Sequence, residues 1–177
     1  MLTLRALQWP DDRAGLLALD TAFSTDRIYH VMEGDRSFAL AAVSVTPPLR
    51  KDYPLANDVD TLPTFAAVIV AAVDAQLVGL AALQVEAWNR RARLDHCYVA
   101  PAVRGQGVGR ALIDAVVAHA DALAARCVWL ETQNINYPAI QFYERVGFVW
   151  CGLDTALYER HAAAGEEIAL FFVRQLA

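Results

Sequence analysis

The sequence predicts an α+β fold with a central mixed, mostly antiparallel sheet flanked by helices, in a single domain over residues 1–177. Three observations lead there. Runs 64–73, 77–86 and 92–99 have strand character and are joined by tight turns at Asp74-Ala75 and Trp88-Asn89-Arg90, which makes an antiparallel meander. Val108, Leu112, Val116, Ala120 and Leu123 then recur at helical spacing, with Arg110, Asp114 and Asp121 on the wet face, so a helix should run to about Arg126. Beyond it, a strand over 128–132, a helix over 137–146 stopped by Gly147, and closing strands over 148–151 and 168–174 complete an alternating second half.

The first quarter is more broken. Residues 2–8 alternate like an opening strand, and Trp9-Pro10-Asp11-Asp12 is a turn that leads into a helix over 13–19. Residues 23–27 read as a short helix or loop. Runs 28–33 and 37–45 flank Gly34-Asp35 as a hairpin, and Pro47 and Pro48 open a loop that lasts to Pro63.

At 177 residues the chain can bury one continuous core without a staple, and a hydrophobic fraction of 56% suits a globular protein rather than a disordered one. Residues 1–7 lack the basic start of a signal peptide, and the longest apolar run, 65–73, falls far short of the roughly 20 residues that span a bilayer. The expectation is a cytoplasmic protein without a membrane partner. A net charge of −5 argues against nucleic acid and mildly favours a cationic substrate. Cys97, Cys127 and Cys151 are odd in number and widely spaced, and are expected reduced and buried. His30, His119 and His161 have no metal spacing, so no metal is expected.

The chemistry concentrates in Val99-Ala100-Pro101-Ala102-Val103-Arg104-Gly105-Gln106-Gly107-Val108-Gly109, between a strand and an amphipathic helix. A glycine-rich turn at a helix N-terminus aims several N–H groups at one point, where the helix dipole adds partial positive charge. Arg110, in the first helical turn, opposes that dipole unless an anion lies between it and Arg104. The same residues also suit a plain glycine-rich loop with solvated arginines. A nucleotide P-loop would need Lys and then Ser or Thr where Arg110 and Ala111 stand, and a dinucleotide fingerprint would need a parallel βαβ unit.

Downstream, Leu130-Glu131-Thr132-Gln133-Asn134-Ile135-Asn136-Tyr137-Pro138-Ala139-Ile140-Gln141-Phe142-Tyr143 leads into Glu144-Arg145-Val146-Gly147-Phe148. Asn136 is placed to cap the helix, and Asn136, Ala139 and Tyr143 share one face. With Val99-x-Pro101 and Arg104-x-x-Gly107-x-Gly109, this block resembles the GNAT acetyltransferases. Trp88-Asn89-Arg90-Arg91, Thr132 through Asn136, Cys151-Gly152-Leu153-Asp154-Thr155-Ala156-Leu157-Tyr158 and Phe23-Ser24-Thr25-Asp26 are similar to the streptothricin (nourseothricin) acetyltransferases.

The resemblance implies acetyl-CoA as cofactor, held by Tyr98, Val99, Arg104, Gly105, Gln106, Gly107, Val108, Gly109, Arg110, Asn134, Asn136, Ala139 and Tyr143. It makes Tyr143 the proton donor to the departing thiolate, although a tyrosine here could also simply pack in the core. It also implies acetylation of an amine on the β-lysine part of a small cationic antibiotic, by direct attack on the thioester. A homodimer is common in the family. An attacking amine must lose a proton, and Asp95 is the first candidate base. His96 is the second, and strand alternation would send the two to opposite faces. Asp26, Glu86, Trp88, Asn89, Asp95, Asp154 and Tyr158 are the candidate substrate residues, each also an ordinary turn or surface residue. A polyamine, a peptide N-terminus, or a non-catalytic CoA-binding module are the competing readings.

Overall fold

The computed structural model describes residues 1–159 and 167–176. In chain order the elements begin with β1 (Leu2–Ala6), α1 (Arg13–Leu17), β2 (Phe23–Gly34), β3 (Ser37–Lys51), β4 (Ala67–Val73), β5 (Gln76–Glu86) and β6 (Arg91–Val99). They continue as α2 (Val108–Ala122), β7 (Cys127–Gln133), α3 (Tyr137–Arg145), β8 (Val149–Asp154) and β9 (Ala169–Gln175). The larger sheet has the strand order β1-β4-β5-β6-β7-β9-β8, and β2 and β3 form a two-stranded sheet.

The chain divides into two compact units. One comprises 1–22, 52–129 and 175–177; the other comprises 23–51 and 130–174. In the first, β4, β5 and β6 form the expected antiparallel meander, and β1 adds antiparallel to β4. Val73 pairs with Gln76, leaving Asp74 and Ala75 as a two-residue turn with φ of 49° and 69°. Two left-handed residues match the twist of a tight hairpin. Leu16, Val59, Leu62, Val70 and Leu80 pack as a fully buried core. Val108, Leu112, Ile113, Val116 and Ala120 form the buried stripe of α2. Leu123 departs from that stripe and is exposed, because the helix ends at Ala122 and Ala124 turns left-handed at φ 54°.

The second unit corrects the expected loop over 47–63. β2 and β3 pair from Gly34 and Ser37 as far as Phe23 and Lys51, so the hairpin takes in 23–27 as well as Pro47 and Pro48. Register jumps between Thr25↔Leu49 and Arg27↔Ser44, and the prolines sit where the ladder is interrupted and no N–H is needed. The rest of the expected loop, in the first unit, contains 3-10 turns at Leu55–Asn57 and Val59–Thr64. Of the cysteines, Cys127 is buried, Cys97 is half-buried, and Cys151 is exposed, contrary to the expectation of burial. Cys151 stands on β8, whose first three residues all face solvent. Among the described residues no His, Cys, Asp and Glu cluster could hold a metal, and no helix is long and apolar enough to cross a membrane. His161 lies outside the described residues.

Candidate active site

The loop that follows β6 is built from backbone. Ala100 N–H donates to Val78 C=O at 2.8 Å, and Pro101–Val103 makes a 3-10 turn. Gly105 and Gly107 then adopt φ of 76° and 87°, which side-chain-bearing residues rarely adopt, and a Cβ at either would meet nothing within 4 Å. Gly107 is the N-cap of α2 and offers no side chain to the first N–H groups, those of Val108, Gly109 and Arg110. The result is an open turn that presents backbone N–H groups.

Two of the expected cofactor side chains brace this loop. Arg104 donates from Nε to Val99 C=O at 2.9 Å and from Nη2 to Ala22 C=O at 2.6 Å, and Gln106 Nε2 donates to Ala102 C=O at 3.1 Å. Val108 is buried and Arg110 exposed. The Tyr98 ring lies 6.2 Å from Tyr53 and 5.9 Å from His96, and burial pushes its phenol up to about 12. Tyr98 is therefore neutral throughout the physiological range.

Strict alternation, expected to place Asp95 and His96 on opposite faces, does not hold in β6. His96 pairs with Ala82 while Leu94 pairs with Leu83, so β6 carries an extra residue, Asp95, at a bulge. Ladder partners point the same way, so His96 lies on the face of Ala82, which is also the face of Gln84 and its partner Arg93. Arg93 Nε donates to Asp95 Oδ1 at 2.6 Å, which ties Asp95 to that face. The bulge cancels the alternation that would have separated Asp95 and His96. Asp95 Oδ2 and His96 Nδ1 are both buried with no hydrogen-bond partner. Burial raises the Asp95 carboxyl despite Arg93, and burial keeps the His96 imidazole lowered and so neutral.

The β5–β6 turn presents Trp88 to solvent at 86% exposure. Glu86 is occupied there: its Oε2 accepts from Arg91 Nη2 at 3.0 Å and from Asn89 Nδ2 at 3.1 Å. Asn89 Oδ1 accepts from Arg91 N–H, which makes Asn89 a turn-forming residue.

In the second unit, Asn134 is a buried clip. Its Nδ2 donates to Tyr29 C=O at 2.8 Å and its Oδ1 accepts from Ile168 N–H at 2.8 Å. Asn136 caps α3 as expected, accepting from Ala139 N–H at 3.3 Å. Tyr143 is buried on α3 with its ring 5.4 Å from Phe142 and 5.7 Å from Phe148. Asp26 is exposed beside a shallow depression lined by Pro48, Tyr137, Gln141 and Arg145. Asp154 Oδ1 caps its own turn by accepting from Ala156 N–H. Tyr158 reaches β7, donating to Glu131 Oε1 at 2.6 Å and accepting from Gln133 Nε2 at 2.8 Å. Glu131 escaped the sequence reading, although an acid directly after the apolar run Cys127-Val128-Trp129-Leu130 on β7 was the available signal.

Residues 28–148 match the model of the acetyltransferase (GNAT) family. The chain belongs to the GNAT acetyltransferase family. It is an acetyl-CoA-dependent N-acetyltransferase. It is 38% identical to the streptothricin acetyltransferase of Streptomyces lavendulae, over 89% of this chain and 87% of that one. The crystal structure of nourseothricin acetyltransferase superposes with a TM-score of 0.87 at 37% identity, covering 99% of each chain. A Bacillus anthracis chain solved in complex with acetyl coenzyme A shares the fold with a TM-score of 0.84 at 24% identity, over 99% of this chain and 100% of that one. The acetyltransferase's open glycines at the head of α2 fit the cofactor's pyrophosphate, which needs close backbone approach and several N–H donors.

Proposed function

We propose that the enzyme acetylates a primary amine of a streptothricin-type antibiotic, on its β-lysine part, by direct attack of the amine on the thioester. The likeness to streptothricin acetyltransferase over most of both chains is the observation that carries this reading. Acetyl-CoA supplies the acetyl group in activated form.

The chain's own residues would bind and move protons. Val108, Gly109 and Arg110 N–H groups, with Gly105 and Gly107 keeping the approach open, receive the pyrophosphate. Asp95 Oδ2 accepts the proton of the attacking amine. Its desolvated carboxyl is a better base near neutral pH than an exposed one, because its conjugate acid is weaker. Tyr143 Oη supplies the proton that the departing sulfur needs. A second assignment, His96 Nδ1 as base, is favoured by its equally unpartnered nitrogen on the same face.

Mass spectrometry of streptothricin incubated with enzyme and acetyl-CoA tests the reading. The expected result is one added acetyl group, with fragmentation placing it on β-lysine. Unmodified antibiotic alongside acetylation of spermidine or a peptide N-terminus would favour the polyamine or peptide reading instead.

A further inference from the structure

The end of β7 holds a polar device that the mechanism above does not use. Glu131 and Gln133 are two apart on a strand and so point to one face, where both meet the Tyr158 hydroxyl. The direction of the chain of bonds is fixed. Gln133 Nε2 can only donate, so the phenol accepts from it and must give its own proton to Glu131 Oε1, at 2.6 Å. A short hydrogen bond of this kind suits an ionised acceptor. Glu131 is thereby held in one orientation by a donor that is neutral.

The charge itself is matched only in part. Lys51 lies over the Tyr158 ring, 6.0 Å from its centroid, but its ammonium is paired with Glu167 at 2.5 Å. Among the described residues Glu131 forms no ion pair, and its second oxygen, Oε2, has no hydrogen-bond partner. Burial raises its carboxyl, partly offset by the Tyr158 hydrogen bond and by Lys51. A partly desolvated carboxylate, aimed by a phenol and with one oxygen open, is a receptor for an ammonium group, and the adjacent aromatic face adds cation–π attraction. The device also sits at the end of β7 that leads directly into Asn136 and α3.

We propose that Glu131 is a specificity-determining residue that binds a substrate ammonium group through Oε2, with Tyr158 and Gln133 as its positioning residues. This rests on the reading of the acceptor as a small cationic amine.

The test is calorimetric titration of streptothricin, and separately of spermidine, into wild type and Glu131→Gln, with acetyl-CoA affinity and thermal midpoint measured alongside. Glu131→Gln keeps size and can still accept from Tyr158. Its affinity for the cation that wild type binds should fall about tenfold or more, while acetyl-CoA affinity and the midpoint hold. Tyr158→Phe should weaken the same cation less, because it disorders the carboxylate without removing it. Equal cation affinity in wild type and Glu131→Gln would overturn the inference, as would a parallel loss of acetyl-CoA affinity. If wild type binds spermidine and ignores streptothricin, the antibiotic reading fails while the comparison on spermidine still decides Glu131. If wild type binds neither, both fall.

Discussion

At the residue scale, Asp95 Oδ2 and His96 Nδ1 are buried without hydrogen-bond partners, which is costly unless something uses them. Asp95→Asn preserves shape and removes the proton acceptor. Turnover should drop sharply, recover in part at alkaline pH where more amine is already neutral, and leave acetyl-CoA binding intact, as read by steady-state kinetics across pH. A wild-type profile would move the role to His96. The same substitution has a stability signature of opposite sign. Folding raises the Asp95 carboxyl, so its contribution is most favourable below its unfolded value and is lost as pH rises through the folded one. The melting temperature of Asp95→Asn relative to wild type should therefore increase from pH 3 to pH 7. Asp12 behaves in the reverse way. Arg5, bonded to both its oxygens at 2.6 Å, lowers its carboxyl, and that stability is lost as pH falls below 3.8 through the folded value. For Tyr143→Phe, ring packing on Phe142 and Phe148 survives, so the loss should appear chiefly in kcat, by about 10²-fold. An unchanged kcat with chemistry rate-limiting would make Tyr143 a core residue.

Elements were legible where local chemistry decides them. The helix cap at Asn136, the stop at Gly147 and the β4–β6 meander follow from side-chain type and alternation, and the structure has all three. Two features set by pairing partners were not legible. The bulge at Asp95 depends on how β6 registers against β5, and the passage of β3 through Pro47 and Pro48 depends on β2 standing opposite. The end of α2 was misplaced because the left-handed stop is Ala124 rather than glycine. Ala124→Gly should accordingly stabilise the fold by about 1 kcal/mol, measured by urea denaturation, since glycine carries no Cβ penalty there. A destabilised variant would refute that cap. In the cofactor loop, Gly107→Val should weaken acetyl-CoA at least about tenfold by calorimetry. The space beside its Cβ is open in the protein, so an unchanged affinity would mean that the pyrophosphate does not sit there.

At the scale of the whole molecule, the glycine loop and the Asn136–Tyr143 helix were enough to reach the family, because each is a contiguous stretch with its own local geometry. The acceptor end was less legible. Glu86 and Asn89 turned out to bond mainly within their own hairpin, whereas Glu131 takes its place through Tyr158, 27 residues away in sequence. Contacts of that span follow from tertiary arrangement and leave no local pattern. Acetyl transfer to a streptothricin amine is best tested by steady-state CoA release measured with streptothricin and spermidine in parallel. Saturable thiol release with streptothricin at a higher kcat/KM than with spermidine is expected; release with spermidine alone, or with neither, would refute the assignment of the antibiotic as acceptor.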